Sequence, residues 1–313
     1  MPDKAPFRIL VIRLGSLGDV IHALPAVASL KHSFPRSHLS WIIKPQWAPL
    51  LEGNPYVDEV IPYQRTGVGL AAAWKKLRSE RFQLAVDLQG LIQSSLVAAA
   101  SRAEKIVGLD RSQAREQLAA LVYSTAVKTT AKHRVDRYLE IAAAAGATNI
   151  VTTFPLPQGQ AEGELPDGPF VLACPLAGWA SKQWPLEYYE ELAAGLKMPL
   201  VLNGSPAAAE TLARVPGAHV HVSGIAGLID ATRRAHAVVG VDSGPLHLAA
   251  ALSKQGVAIY GPTDPASHGP YGGTIRVLRS ADAVTSYKRR EGEDPSMRAI
   301  QPGEVIEVLN ALS

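Results

Sequence analysis

The chain has 313 residues, of which 47% are apolar and 19% charged, and a net charge of +3. That length suits two domains, and the apolar content excludes disorder as the dominant state. No apolar run is long enough to span a bilayer, and Met1 to Phe7, with Lys4, lacks the apolar stretch of a signal peptide. The single cysteine, Cys174, excludes an internal disulfide and a cysteine-built zinc site, and points to a reduced, cytoplasmic setting. Charge is unevenly divided: residues 1–154 carry 19 Lys/Arg against 12 Asp/Glu, the remainder 12 against 16. The first half reads either as a surface that meets something anionic or as an ordinary solvated face.

In chain order, strand and helix signals alternate. Residues 7–12, apolar but for Arg8, read as a strand buried on both faces. A glycine-containing turn and a helix from Val20 to about His32 follow. Strands are predicted at 38–43, 59–61 and 84–88, and helices at 69–81, 92–102 and 134–145, the last ended by Gly146. Residues 152–168 are rich in Pro, Gly and polar side chains, which is linker chemistry. A second series then begins. Strands are expected at 170–174, 200–202, 237–241 and 257–260, with helices at 185–196, 207–215, 245–252 and 302–312. The pattern predicts two doubly wound α/β domains, 1–154 and 155–313, facing across a cleft, with the final helix free to cross back to the first.

In open α/β sheets ligands bind beyond the carboxyl ends of strands. After the first strand comes Arg13-Leu14-Gly15-Ser16-Leu17-Gly18-Asp19, whose glycines permit a tight turn and close approach of a ligand. It lacks the dinucleotide spacing and is not a Walker loop. Asp19 reads either as a helix N-cap or as a general base kept ionised by the helix dipole. His22 shares its helical face. After the fourth strand, Asp87-Leu88-Gln89-Gly90 either lines the cleft or caps the next helix.

In the second half, Asp242-Ser243-Gly244-Pro245-Leu246-His247 opens a helix whose free N–H groups suit a diphosphate, with Ser243 adding a hydroxyl. Asp242 is expected to accept loop N–H bonds or to cap that helix, and His247 to reach a phosphate. The alternative is a plain helix start. Ser181 and Lys182 would add a donor and a positive charge beside the same pocket; alternatively Lys182 is a surface lysine next to a core tryptophan. No His, Asp or Glu cluster has metal-ligand spacing, and Glu291, Glu293 and Asp294 fall in a charged loop. No metal or cofactor is expected.

Taken together, the segments 13–20, 87–90, 182–185, 242–248 and 260–265 resemble bacterial lipopolysaccharide heptosyltransferases, glycosyltransferase family 9. The stretch 108–116 is similar to the type I branch in particular. The resemblance implies a GT-B fold and inverting, metal-independent transfer of L-glycero-D-manno-heptose from ADP-heptose to a Kdo sugar of the inner core. It implies Asp19 as base and Lys182 on the donor phosphates, with Ser181, Asp242, Ser243, Gly244, His247 and Gly204 also on the donor. Gly15, Ser16, Gly18, Gln89, Arg115 and Arg65 fall on the acceptor side, an anionic Kdo-lipid A. The chain departs from the type I pattern where Gly204-Ser205-Pro206 is followed by Ala207–Ala209 rather than an acidic run, and 63–69 is sparsely charged.

Other classes fit the same layout. One is a GT-B transferase with a UDP- or GDP-sugar donor or another anionic glycolipid acceptor. A nucleotide-sugar epimerase or hydrolase and a two-lobed binding module are the others. Lys75, Lys76, Arg78 and Arg81 read as a solvated helix face or as contacts to the cytoplasmic face of an inner membrane. A nucleic-acid partner is not expected.

Overall fold

The computed structural model describes residues 6–288 and 292–312; Lys4 and Glu291 lie outside them. The chain divides into two compact units, Met1–Pro157 and Gln158–Ser313.

The first unit contains β1 (Arg8–Ile12), α1 (Leu17–Ser33), β2 (His38–Ile43), β3 (Glu59–Pro62), α2 (Gly67–Ser79), β4 (Leu84–Asp87), α3 (Ile92–Ser101), β5 (Lys105–Leu109), β6 (Thr125–Val127) and α4 (Arg134–Ala145). Its six strands lie in the order β3-β2-β1-β4-β5-β6, all parallel. β1 is central, which is why residues 9–12 are apolar without alternation and wholly buried. Right-handed crossovers leaving β1 and β4 in opposite directions put α1 and α3 on opposite faces. α4 packs beside α1, whereas α2, α3 and a 3₁₀ segment, Gln117–Val122, pack side by side. Gly146 ends α4 in the left-handed region, at φ +113°.

The second unit contains β7 (Val171–Cys174), α5 (Leu186–Gly195), β8 (Leu200–Gly204), α6 (Ala209–Leu212), β9 (His219–Val222), α7 (Ile225–Arg234), β10 (Ala237–Val241), α8 (Gly244–Ala251), β11 (Gln255–Tyr260), α9 (Pro265–His268), β12 (Ile275–Arg279), α10 (Pro295–Arg298) and α11 (Pro302–Asn310). The strand order is β12-β11-β10-β7-β8-β9, again all parallel. α11 packs on α5 and β11 of this same unit, whereas the sequence had left it free to cross back. The helix expected at 207–215 is a 3₁₀ turn at Pro206–Ala208 followed by the single turn of α6.

Several elements had no clear signal. β5 and β6 lie at or next to a sheet edge, and in the edge strand β12 only Ile275 is buried. β9 (His-Val-His-Val) pairs polar side chains with neighbours that no local pattern reveals. In each sheet the strand order reverses once, between β1 and β4 and between β7 and β10. Loops diverge there on opposite faces and leave a crevice at the carboxyl ends, so topology alone directs attention to four loops.

Candidate active site

At the switch point of the first sheet, the loop after β1 carries the densest polar cluster. Ser16 is the N-cap of α1, and Asp19 is the third residue of the helix, not its cap. The Asp19 Oδ2 accepts the Ser16 N–H at 3.1 Å and the Ser16 hydroxyl at 2.9 Å. Arg13 Nη2 closes on the same oxygen at 2.6 Å. The N-cap reading is therefore corrected, and what holds the charge is a buried arginine ion-paired to Asp19 rather than the helix dipole alone. Burial works to raise its pKa, but Arg13, Arg134, His22 and the Ser16 N–H outweigh that and hold it far below the usual carboxylate range. Asp19 remains 28% exposed, and among the described residues no hydrogen bond reaches Oδ1.

Arg13 is fixed from several sides. Its Nη1 donates to the Leu88 carbonyl at 3.0 Å, and its guanidinium lies 5.7 Å from the centre of the Tyr138 ring. Burial pulls its pKa down and the Asp19 carboxylate more than restores it. His22 is buried and meets the His133 ring edge-on at 5.6 Å. Gly15 has φ +145°, and a Cβ there would overlap the Trp47 indole, so only glycine fits the turn. Gly18 is buried in the first turn of α1.

Gln89 neither stands free nor caps the next helix, since the N-cap of α3 is Leu91. Its Oε1 accepts the Leu14 N–H at 2.9 Å, which ties the β4 loop to the β1 loop. Asp87 is wholly buried and orders that loop. It accepts from Gln89 N at 2.8 Å, Gly90 N at 3.3 Å and the Tyr123 hydroxyl at 2.7 Å, and burial pushes its pKa up. Arg65 follows β3 and Arg115 follows β5, both exposed on loops at the carboxyl ends of strands on opposite sides of the sheet. The Arg115 loop is held in place next to Gly90, whose carbonyl accepts the Glu116 N–H at 3.2 Å.

At the switch point of the second sheet, Lys182, from the loop after β7, reaches Asp242 at the end of β10. The Nζ–Oδ2 distance is 2.5 Å. His247 Nε2 lies 3.6 Å from the other oxygen, Oδ1. Asp242 thus binds side chains; it neither accepts loop N–H bonds nor caps α8, whose N-cap is Ser243. Burial tends to raise its pKa, and His247 and Lys182 overcome this to hold it well below the usual range. Lys182 also lies 4.4 Å from the centre of the Trp179 ring.

Among the described residues, the buried Ser181 Oγ, Ser243 Oγ and Thr263 Oγ1 have no hydrogen-bond partner. They come from the loops after β7, β10 and β11, and Gly244 begins α8 beside them. They are unspent donors on the loops of three neighbouring strands of the sheet. Gly204 owes its identity to packing: a Cβ would come within 2.7 Å of Leu212 and 2.9 Å of Ala208. Among the described residues no group of three or more His, Cys, Asp or Glu is gathered as a metal site requires. Sequence reasoning assigned no role to Arg13, Trp47, Tyr123 or Thr263. Arg13 alone carried a signal, as a charge directly following the apolar run 9–12.

Two parallel six-stranded sheets, each with polar groups at its own switch point, define the GT-B class of glycosyltransferase folds. The family model described as glycosyltransferase family 9 (heptosyltransferase) matches residues 70–296, and the chain belongs to that family. It is 29% identical over 298 residues to lipopolysaccharide heptosyltransferase 1 of Pseudomonas aeruginosa, covering 85% of this chain and 81% of that one. It resembles the glycosyl transferase family 9 structure from Veillonella parvula with a TM-score of 0.84 at 23% identity, over 98% of this chain and 97% of that one. The structure of E. coli heptosyltransferase WaaC with ADP gives 0.78 at 23%, over 98% of this chain and 100% of that one.

Proposed function

We propose that this glycosyltransferase moves L-glycero-D-manno-heptose from ADP-heptose to a Kdo sugar of a lipopolysaccharide inner core, with inversion and without a metal. The observation that carries the reading is the Lys182–Asp242–His247 cluster beside the N-terminus of α8, with three uncommitted hydroxyls on the loops of neighbouring strands. The second unit would hold the donor diphosphate there. Asp242 positions Lys182 and His247, and the Lys182 ammonium, the Ser243 and Ser181 hydroxyls and the first N–H groups of α8 take up the leaving-group charge. Similarity to a heptosyltransferase described with ADP supports an ADP-linked donor.

The first unit, with its excess of positive charge, would hold the anionic acceptor. Asp19 would take the acceptor's hydroxyl proton, through Oδ1. Its low basicity suits a late proton transfer, since the attacking hydroxyl becomes strongly acidic only as the new bond forms. Arg13 keeps it ionised and aimed. Arg115 and Arg65, on loops at the carboxyl ends of β5 and β3, are suited to acceptor carboxylates. The setting we propose is the cytoplasmic face of an inner membrane. No described helix is long and apolar enough to cross one.

The test compares ADP-heptose with UDP- and GDP-sugars by thermal protection and transfer, with EDTA present and the product anomer read by NMR. Selective protection by ADP-heptose and an inverted product are expected. Preference for a UDP- or GDP-sugar, a retained anomer, or loss of rate in EDTA would overturn the corresponding part.

A further inference from the structure

The outer face of α3 and the adjoining 3₁₀ segment is apolar where a solvent-facing surface is normally charged. α3 carries no charged residue, and Ile92, Leu96 and Ala99, spaced four and three apart, form its exposed stripe. Ile92 is 41% and Leu96 61% exposed. The 3₁₀ segment adds Leu118 at 59% and Leu121 at 74%. The two elements are joined directly, because Glu116 Oε2 accepts the Ile92 N–H at 2.6 Å. On the other side α2 packs against α3 and exposes Leu70 and Trp74. Apolar side chains are thus exposed on three elements that pack side by side.

Its surroundings are basic. Lys75, Arg78, Arg102, Arg111 and Arg115 are all exposed, and Arg78 stacks over the Trp74 ring at 4.6 Å. Residues 65–128 contain ten Lys/Arg against five Asp/Glu, and one of those five, Asp87, is wholly buried. We infer that this face docks the protein on an anionic lipid surface, with Leu96, Leu118 and Leu121 entering the headgroup layer and the arginines pairing with lipid phosphates. A second copy of the chain would bring two basic surrounds together, which charge repulsion opposes. The inference rests on the functional reading only in taking the acceptor to be lipid-linked.

The test is sedimentation of the full chain with vesicles of phosphatidylcholine alone or mixed with phosphatidylglycerol. Wild type is compared with Leu96→Asp/Leu121→Asp and the milder Leu96→Ser/Leu121→Ser, their folding checked by circular dichroism and melting. Wild type is expected to bind the anionic vesicles more tightly than the neutral ones, and both variants to bind about tenfold or more weakly. No binding by wild type, or equal binding by both folded variants, overturns the inference. So does a wild-type dimer that the variants dissolve, because the face then belongs to a second copy. Transfer to an acyl-free acceptor fragment should be unchanged in the variants. If wild type fails to transfer to that fragment, the functional reading falls, while the vesicle result still decides the surface.

Discussion

Arg13 and Asp19 form a 2.6 Å salt bridge between the end of β1 and the first turn of α1. The pair sits at the switch point of its sheet, and the second arginine amino group is anchored on the Leu88 carbonyl of the β4 loop. Asp19 is thereby held ionised around neutral pH and fixed in direction.

Replacing Asp19 with Asn keeps the shape and removes the acceptor of the proton. Turnover should fall by about 10²–10⁴-fold, the usual contribution of a positioned base. Affinity for the ADP-sugar should stay within about twofold, because donor binding is assigned to the other unit. Steady-state rates and a calorimetric titration separate the two effects. A variant retaining more than a few per cent of the rate would remove Asp19 from the mechanism.

Arg13 sets the pH range in which that base works. Because Asp19 titrates far below its ordinary 3.8, the wild-type rate should show no acid limb belonging to this residue above pH 4. Arg13→Met removes the main cause of the depression and leaves burial, which raises the pKa. Arg134, His22 and the Ser16 N–H still lower it, so the acid limb should move upward in pH relative to wild type. The measurement is kcat/KM against pH for both proteins.

Lys182 and Asp242 should separate into a binding role and a positioning role. Lys182→Ala should weaken donor affinity about 10–100-fold, as loss of a charge-assisted contact implies. Asp242→Asn leaves a largely buried ammonium unpaired and should cost up to about 3–5 kcal/mol at neutral pH. The folded-state pKa of Asp242 is lowered, so its stabilising effect is whole above the ordinary carboxylate pKa and is lost as pH falls toward the folded value. Chemical denaturation should therefore find the gap between wild type and Asp242→Asn narrowing toward acid. A gap independent of pH would contradict the assigned ion pair.

Gly15 and Trp47 should be coupled. Gly15→Ala meets both the φ of +145° and the Trp47 indole, and should destabilise by about 1–3 kcal/mol. Trp47→Ala removes the overlap but not the backbone strain. In a double-mutant cycle the second change should recover part of the loss and no more. Simple additivity would show that the indole does not restrict the turn.

Much of the framework was legible in the chain itself. Central strands such as β1 and β10 announce themselves because burial on both faces demands unbroken apolar runs. α4 and its Gly146 stop followed from local helix chemistry. Elements without such a signature were missed: β9 is half polar, and its buried His221 and the nearby Asn203 satisfy each other, at 2.8 Å, only across the sheet.

The sequence alone determined which residues end up at the strand ends, since a strand signal followed by glycine and a helix start fixes a loop at the carboxyl edge. It put Asp19, Lys182, Asp242 and Ser243 there. Only the tertiary structure decided what each of them touches. Arg13 reaches Asp19 across a turn, but Lys182 and Asp242 are 60 residues apart and meet because β7 and β10 are neighbours in the sheet. Gln89 is spent on Leu14 for the same reason, since β4 lies beside β1. Partners of that kind depend on strand order, a property of the assembled sheet that no local stretch of chain encodes.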